Sequence, residues 1–149
     1  MPIMGARFDK AKAMGCDAIE PDNVDGYDTT AHESTGFPLT YEDQIAYNLS
    51  IAKLAHDRGM AVGLKNDINQ AQDARFYNGS SGFDFVVAEQ CAQYNECTYF
   101  NKFLTVALKP VFDAEYKTLT TTYCARTKGV GISVIKKKPT LNTAWATCP

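Results

Sequence analysis

Carboxylate side chains follow two apolar segments that lie far apart in this sequence. Asp22 comes three residues after Ala18-Ile19, and Glu89 directly follows Val86-Val87-Ala88. Cleavage of a glycosidic bond typically requires two facing carboxyl groups. One protonates the leaving oxygen, and the other attacks the anomeric carbon or activates water. We therefore take Asp22 and Glu89 as a candidate catalytic pair. Each residue has an equally good structural explanation. Asp22 would fit an Asx turn or a helix cap, and Glu89 would fit a solvated strand end.

Lys65 is a third candidate, because it ends the apolar run Val62-Gly63-Leu64. A lysine at such a place is either a Schiff-base nucleophile, as in aldolases, or the cationic partner of nearby carboxylates. The sequence favours an ion pair with Glu20 or Asp22. Tyrosines near the same segments could stack on sugar rings, although most tyrosines at helical spacing are core residues: Tyr27, Tyr94, Tyr99 and Tyr116.

Alternating strand and helix patterns must position these residues. Five segments rich in apolar or β-branched residues predict strands: Asp17–Glu20, Ala61–Lys65, Phe83–Glu89, Lys109–Glu115 and Gly129–Ile135. Five segments predict helices: Phe8–Met14, Tyr41–Arg58 with a capping box at Thr40 and Asp43, Gln70–Arg75, Gln90–Leu108 and Thr118–Ala125. This alternation predicts an α/β fold with a parallel sheet, in which the carboxyl ends of the strands share one edge and bring the carboxylates together.

Composition limits the other possibilities. The chain has 149 residues, is 45% hydrophobic and has a formal net charge of −2, which predicts one folded domain with a sizeable core. No membrane span is expected because no apolar run reaches about 18 residues. No nucleic-acid partner is expected because the basic residues cluster only at Lys136–Lys138. Two histidines and no C-x₂₋₄-C spacing argue against a metal site, and no cofactor motif is present.

Five cysteines leave their redox state open. In a secreted protein Cys91 and Cys97 are candidates for a disulfide, whereas buried reduced thiols fit their spacing equally well. An odd fifth cysteine must stay free or pair outside the chain. Two sequons for N-glycosylation also occur, at Asn48-Leu49-Ser50 and at Asn78-Gly79-Ser80. The second lies in a Gly/Ser-rich segment and is the more credible acceptor.

A set of ordered motifs resembles glycoside hydrolase family 114 across about residues 7 to 135. The motifs are Gly15-Cys16-Asp17-Ala18-Ile19-Glu20-Pro21-Asp22-Asn23-Val24-Asp25-Gly26-Tyr27, Thr35-Gly36-Phe37-Pro38-Leu39-Thr40, Ala55-His56-Asp57-Arg58-Gly59, Val62-Gly63-Leu64-Lys65-Asn66, Glu89-Gln90-Cys91-Ala92-Gln93-Tyr94-Asn95-Glu96-Cys97 and Val111-Phe112-Asp113-Ala114-Glu115-Tyr116.

The resemblance implies a glycosidase on a (β/α)₈ barrel, acting as an endo-α-1,4-polygalactosaminidase on a galactosamine-containing polysaccharide. It assigns catalysis to the Asp of E-P-D-N and the Glu of E-Q-C, which are Asp22 and Glu89. We expect the substrate to contact residues of the same motifs: Glu20, Asn23, Asp25, Tyr27, Lys65, Asn66 and Glu115. Carboxylates among these suit ammonium groups on the sugar. Family members are typically secreted, which strengthens the expectation of a Cys91 to Cys97 disulfide and of a glycan on Asn78.

The resemblance also predicts an incomplete barrel. The motifs begin at the helix before the fourth barrel strand, and a full barrel takes about 250 residues. We therefore expect a single domain over 1–149 that is a partial (β/α)₈ barrel lacking its first three units and possessing little activity alone. The alternative is a non-catalytic carbohydrate-binding or structural remnant. Segments 28–34 and 78–82 are longer than the family pattern.

Overall fold

The computed structural model describes residues 1–30, 35–142 and 144–148, and in these residues six strands form one sheet. The strands are β1 (Ala18–Ile19), β2 (Ala61–Lys65), β3 (Phe85–Glu89), β4 (Val111–Glu115), β5 (Ser133–Lys137) and β6 (Trp145–Thr147). The described helices are α1 (Pro2–Ala13), α2 (Tyr41–His56), α3 (Ala74–Tyr77), α4 (Cys91–Tyr94), α5 (Asn101–Thr105) and α6 (Thr120–Lys128). Single 3₁₀ turns span Gln70–Gln72 and Cys97–Phe100.

The order of the strands is that of a β/α barrel. Strands β1 to β5 are parallel, and each pairs with the next strand along the chain. A doubly wound sheet would reverse its order at a switch point, and this one does not. The five predicted strands are all present, although the first is shortened to two residues.

One face of the sheet is packed and the other is open. Side chains alternate along a strand, so Val62, Leu64, Val86 and Ala88 point to the helices and are buried. On the opposite face the Phe85 and Phe112 rings meet edge-on at 6.2 Å, and Phe112 is 44% exposed. This open face corresponds to the interior of a barrel.

Helix α2 begins as the sequence predicts. The Thr40 side chain accepts a hydrogen bond from the Asp43 backbone amide, and the Asp43 carboxylate accepts one from the Thr40 amide. This capping box satisfies amides that have no partner within the helix. One face of α2 packs into the core and buries Ile45, Ile51 and Ala55.

The prediction of a continuous helix over Gln90–Leu108 is wrong. The segment contains α4, the 3₁₀ turn Cys97–Phe100 and α5. Gln90 precedes α4 with a φ of 60°, and Asn95 follows α4 with a φ of 63°. The left-handed conformation at Asn95 ends the helix. The disulfide between Cys91 and Cys97 joins the first residue of α4 to the first residue of the 3₁₀ turn.

Two features of the carboxyl-terminal part were not anticipated. Strand β6 runs antiparallel to β5, and its three residues are all exposed, so no hydrophobic alternation reveals it. A second disulfide joins Cys124 in α6 to Cys148 just after β6. The Cys91 to Cys97 pairing is confirmed, and Cys16 is the exposed free cysteine among the described residues.

The lengthened segment 28–34 falls partly outside the described residues, since 31–34 are not among them. Within the described parts of the chain, every helix is too short or too polar to cross a lipid bilayer.

We expect loss of the Cys124 to Cys148 disulfide to destabilise the fold by about 3 kcal/mol. The cysteines are 24 residues apart, and a crosslink across such a loop removes more entropy from the unfolded chain than the six-residue separation of Cys91 and Cys97 does. Urea unfolding of the Cys124→Ser/Cys148→Ser double variant measures the loss. Cys16→Ser is the control and should change the free energy of unfolding by less than about 0.5 kcal/mol. An equal loss in both variants would contradict the expectation.

Candidate functional site

The carboxyl ends of β1, β2 and β3 bring the two candidate catalytic carboxylates together around one lysine. Lys65 Nζ donates hydrogen bonds to Asp22 Oδ1 at 3.2 Å and to Glu89 Oε2 at 3.0 Å. Lys65 and Glu89 share the open face because Lys65 pairs with Val87, two residues before Glu89. Lys65 is 7% exposed, whereas the Asp22 and Glu89 side chains are 62% and 39% exposed. The carboxylates therefore face the solvent side of a buried ammonium group.

Glu89 is held at both its backbone and its carboxylate. Its backbone amide donates to Asn66 Oδ1 at 2.8 Å, and Asn66 adopts a φ of 50° to reach it. The Tyr116 hydroxyl donates a short hydrogen bond to Glu89 Oε1. This bond holds the pKa of Glu89 below its usual value, against the opposing effect of burial and with further help from Lys65. Glu89 is therefore ionised at neutral pH.

Lys65 is an ammonium group in this environment. Burial alone would lower its pKa, but the hydrogen bonds to Glu89 and Asp22 outweigh burial and raise the pKa above the usual value. A Schiff-base nucleophile requires the neutral amine. The contacts therefore match the ion pair that the sequence favoured.

Glu20 and Asn23 lie on either side of Asp22. The pKa of Glu20 is raised chiefly by burial, with Lys65 opposing the rise and the negative charges of Asp22 and Glu89 adding to it. Asn23 has a φ of 58°, and its backbone amide donates to Asp22 Oδ1 at 2.9 Å. Asn23 therefore orients Asp22 through its main chain.

An acidic cavity of about 370 Å³ adjoins Glu89. Five carboxylates contribute to its lining: Asp25, Asp28, Asp67, Glu89 and Glu96. Asp67 is 3% exposed, and its Oδ2 accepts a hydrogen bond from Asn48 Nδ2 at 3.2 Å. Burial, with the nearby negative charge of Asp25, raises the pKa of Asp67 to about 8. Asp67 is therefore mostly protonated at neutral pH, and the other acidic residues of the lining supply the charge that favours a cationic ligand.

Tyr27 lies near Asp67 and Asp28, two residues that line this cavity. Its ring packs edge-on against Tyr41 at 5.5 Å. Burial raises the pKa of Tyr27, and the charges of Asp67 and Asp28 add to the effect. Its hydroxyl therefore stays protonated at neutral pH.

A second cavity of about 300 Å³ shares two lining residues, Gln90 and Tyr94, with the first. Its remaining lining is Tyr116, Lys117, Pro139 and Leu141. Tyr94 is 59% exposed, so its ring is available for stacking. Glu89 thus lines the acidic cavity, and its hydrogen-bond partner Tyr116 lines the second one.

Glu115 lies away from these cavities. Ala114 pairs with Glu89, so the next side chain points to the helix face. Glu115 is fully buried, and its Oε1 accepts hydrogen bonds from the backbone amides of Ala92 at 2.8 Å and Gln93 at 3.2 Å. Glu115 therefore accepts hydrogen bonds from the first amides of α4 and faces away from the cavities.

Sulfur and carboxylate atoms also come together beneath α4. Cys91, Cys97 and Asp113 place ligand atoms within 4.8 Å of one another. The two sulfurs are joined as a disulfide, so they are not thiolates that could bind a metal. Asp113 Oδ1 instead accepts a hydrogen bond from the Cys91 amide at 3.2 Å.

Asp67 and Glu96 were missed as site residues. The position of Asp67, two residues after the last residue of β2, was a usable signal because polar residues after parallel strands gather at one edge. Glu96 lies within the segment that was expected to be a continuous helix, so its position depended on the break at Asn95.

We expect Tyr116→Phe to raise the pKa of Glu89, because it removes the hydrogen bond that favours the carboxylate. An ionised Glu89 stabilises the fold above its unfolded pKa near 4.5, and this stabilisation is lost as the pH falls through the lower folded pKa. The variant should therefore be less stable than the wild type above pH about 4.5, and it should lose a smaller part of its stability as the pH falls below that value. Carbon NMR titration of Glu89 measures the shift. Tyr99→Phe is the control, and the same Glu89 pKa in both variants would contradict the assignment.

Comparisons with known proteins identify the family and a similar fold. The model of glycoside-hydrolase family GH114 matches residues 1–149. The crystal structure of Aspergillus fumigatus Ega3 in complex with galactosamine is similar, with a TM-score of 0.81 and 34% sequence identity. The match covers 99% of this chain and 60% of that one, so the chain spans three fifths of the relative's length. No protein with a curated description matches.

The fold and this match confirm a partial barrel of parallel strands and alternating helices. The family match extends over the whole sequence, including the segments that supply Asp22, Lys65 and Glu89. The chain therefore belongs to glycoside-hydrolase family GH114.

Proposed function

We propose that this chain provides the catalytic residues of an endo-acting glycoside hydrolase that cleaves α-1,4-linked galactosamine polysaccharide. The observation that carries the proposal is that Asp22 and Glu89 both contact Lys65 Nζ at the carboxyl edge of the sheet. Two carboxylates at the edge where barrel enzymes place their substrates are the requirement for glycoside cleavage. The galactosamine bound to Ega3 supports the choice of sugar.

The charge of the site suits an amino sugar. A protonated galactosamine unit carries an ammonium group, which the acidic cavity beside Glu89 would attract and hydrogen-bond. Asp25 and Asp28 contribute to that cavity. Two cavities that share Gln90 and Tyr94 provide room for more than one sugar unit, as endo-cleavage requires.

The spacing of the pair supports a retaining mechanism. Asp22 Oδ1 and Glu89 Oε2 lie 3.2 and 3.0 Å from one nitrogen atom, so the two oxygens cannot be farther apart than the sum of these distances. Oxygens this close fit the separation of about 5–5.5 Å between the carboxyl groups of retaining enzymes better than the separation of about 6.5–9.5 Å in inverting enzymes. One carboxylate would attack the anomeric carbon while the other protonates the leaving oxygen, and the second would then deprotonate the water that releases the sugar.

Turnover also depends on closure of the barrel. Within the described residues β1 is bonded to β2 alone, and Phe112 and Ile135 on the open face are 44% and 40% exposed. Further β/α units would cover this face and complete the cleft. We therefore propose low activity for the isolated chain, and the alternative is a remnant that only binds carbohydrate. We also propose an extracellular location, which the two disulfides support.

The test compares the isolated chain with a chimaera in which the part of Ega3 that this chain does not cover completes the barrel. Both are incubated with α-1,4-galactosamine polymer, and products are followed by mass spectrometry. Proton NMR reads the configuration of the first reducing ends. We expect oligosaccharides with retained α configuration from the chimaera and little product from the chain alone. A folded chimaera that binds the polymer without cleaving it would favour the remnant.

A further inference from the structure

The structure distinguishes the two N-glycosylation sequons of this chain. Asn48 is fully buried in α2. Its Nδ2 donates to the Val24 carbonyl at 2.8 Å and to Asp67 Oδ2 at 3.2 Å, and its Oδ1 accepts from Gln44 Nε2 at 3.0 Å. A glycan replaces one hydrogen on Nδ2 and needs a path to solvent. A folded molecule therefore has no room for a glycan on Asn48.

Asn78, in contrast to the buried Asn48, lies on the surface. It follows α3 in an extended conformation, with φ −83° and ψ 136°, and Asn78, Gly79 and Ser80 are all exposed. Gly79 has a φ of 68°, and no atom lies within 4 Å of the position that a Cβ there would occupy. The acceptor is thus on an open turn with free space around it.

The turn lies at the edge of the sheet that is remote from the candidate catalytic pair. Residues 78–84 lead into the start of β3, whereas Glu89 ends that strand. Lys109 Nζ, which comes shortly before β4, donates to the Gly79 carbonyl at 3.1 Å and anchors the turn at this edge. A glycan on Asn78 would project away from both cavities beside Glu89.

The redox state of the cysteines gives an independent indication of the compartment. The chain forms two disulfides, and proteins with structural disulfides mature in oxidising compartments of the secretory route. The enzymes that modify sequons act in the same compartment. The exposed acceptor and the two disulfides therefore support modification at Asn78.

We propose that Asn78 is an N-glycosylation site of the folded protein. In this reaction Asn78 Nδ2 forms a bond to the anomeric carbon of an oligosaccharide carried on a lipid pyrophosphate. The bond from that carbon to the pyrophosphate breaks, and the amide gives up one proton. No oxidant or reductant is needed, and the inference does not depend on the hydrolase activity.

The test uses the 149-residue chain secreted from a eukaryotic host behind a cleavable signal sequence. The secreted protein is treated with peptide-N-glycosidase in heavy-oxygen water and analysed by mass spectrometry. Removal of a glycan converts Asn78 to Asp with a gain of about 3 Da, whereas spontaneous deamidation at Asn78-Gly79 in ordinary water adds only about 1 Da. We expect the larger gain on the Asn78 peptide and none on the Asn48 peptide.

Four variants make the result specific. Asn78→Gln and Ser80→Ala should remove the glycan, and Ser80→Thr, which preserves the sequon, should retain it. Ser50→Ala destroys the other sequon while leaving the buried Asn48 side chain in place, since the exposed Ser50 hydroxyl donates its hydrogen bond to the Ala46 carbonyl at 2.8 Å within α2. It should leave the glycan unchanged. Secreted protein without a glycan, a glycan on Asn48, or a glycan that persists in Ser80→Ala would overturn the proposal.

Discussion

Glu89→Gln is expected to lower the rate of galactosamine-polymer cleavage by about 10³-fold. The amide keeps the shape of the side chain but can neither attack the anomeric carbon nor transfer a proton as a carboxyl group does. Asp22→Asn should have a loss of similar size, because both carboxyl groups are needed for either half of the reaction. The measurement is the rate of oligosaccharide release by the barrel completed with the Ega3 segment.

The controls separate chemistry from charge and folding. Glu42→Gln removes an exposed carboxylate that is paired with Arg75, and Asp57→Asn removes one paired with Lys53. Both lie in or beside α2, so they should leave the rate within about twofold. All four variants should bind galactosamine oligomers and unfold near the wild-type temperature. Release of oligosaccharides at close to the wild-type rate by both active-site variants would refute the assignment of the pair.

Lys65→Met is expected to have the second-largest effect, because it leaves the carboxylates of Asp22 and Glu89 facing each other without a cation. Glu89 loses one of the hydrogen bonds that hold its pKa low, so its pKa should rise. The pKa of Glu20, which Lys65 also lowers, should rise further. A shift of the acid limb of the pH–rate profile to higher pH would then identify Glu89 as the attacking carboxylate, and a shift of the basic limb would identify it as the proton donor.

The contribution of the Lys65 ion pair to the free energy of unfolding should depend on pH in a defined direction. The folded pKa of Lys65 lies above its usual 10.5, so the ion pair stabilises the fold below that pH and this contribution is lost as the pH rises through the folded pKa. Because the two carboxylates are more than a third exposed, solvent screens the pair, and we expect the variant to lose about 1–3 kcal/mol at neutral pH.

Urea unfolding at several pH values, together with NMR titration of Glu89, measures both effects. Lys65→Arg keeps the positive charge and should keep the low Glu89 pKa. Lys53→Met removes an exposed ion pair on α2 and should cost no more than about 0.5 kcal/mol. An unchanged Glu89 pKa in Lys65→Met would show that the ammonium group does not stabilise the carboxylate.

Local rules predicted the elements whose causes are local. Thr40 and Asp43 start α2 as a capping box, and the β-branched and aromatic residues of Phe85–Glu89 form a central strand. The segment after Gln90 could not be predicted in this way. Its helical composition is overridden by left-handed residues and by a disulfide whose geometry belongs to the folded chain.

The site residues likewise separate into those that the sequence predicts and those whose role the fold decides. The motifs identify Asp22 and Glu89 from the sequence because each stands beside a strand end, and strand ends converge in any parallel β/α fold. Glu115 occupies an equivalent place in the sequence, yet its register next to Ala114 turns it to the helix face, where it is fully buried. Side chains alternate with a period of two, so a single residue of register decides between cleft and core.

The sequence by itself determined the family motifs, the parallel β/α order and the carboxylate pair, since these depend on residue types and on spacing along the chain. Only the tertiary structure decided that Lys65 lies between the pair, that Asp67 is buried in the acidic cavity, and that Cys124 pairs with Cys148. Each of these depends on strand register and helix packing between residues distant in sequence. Such contacts are selected by the burial of the whole core rather than by any local pattern.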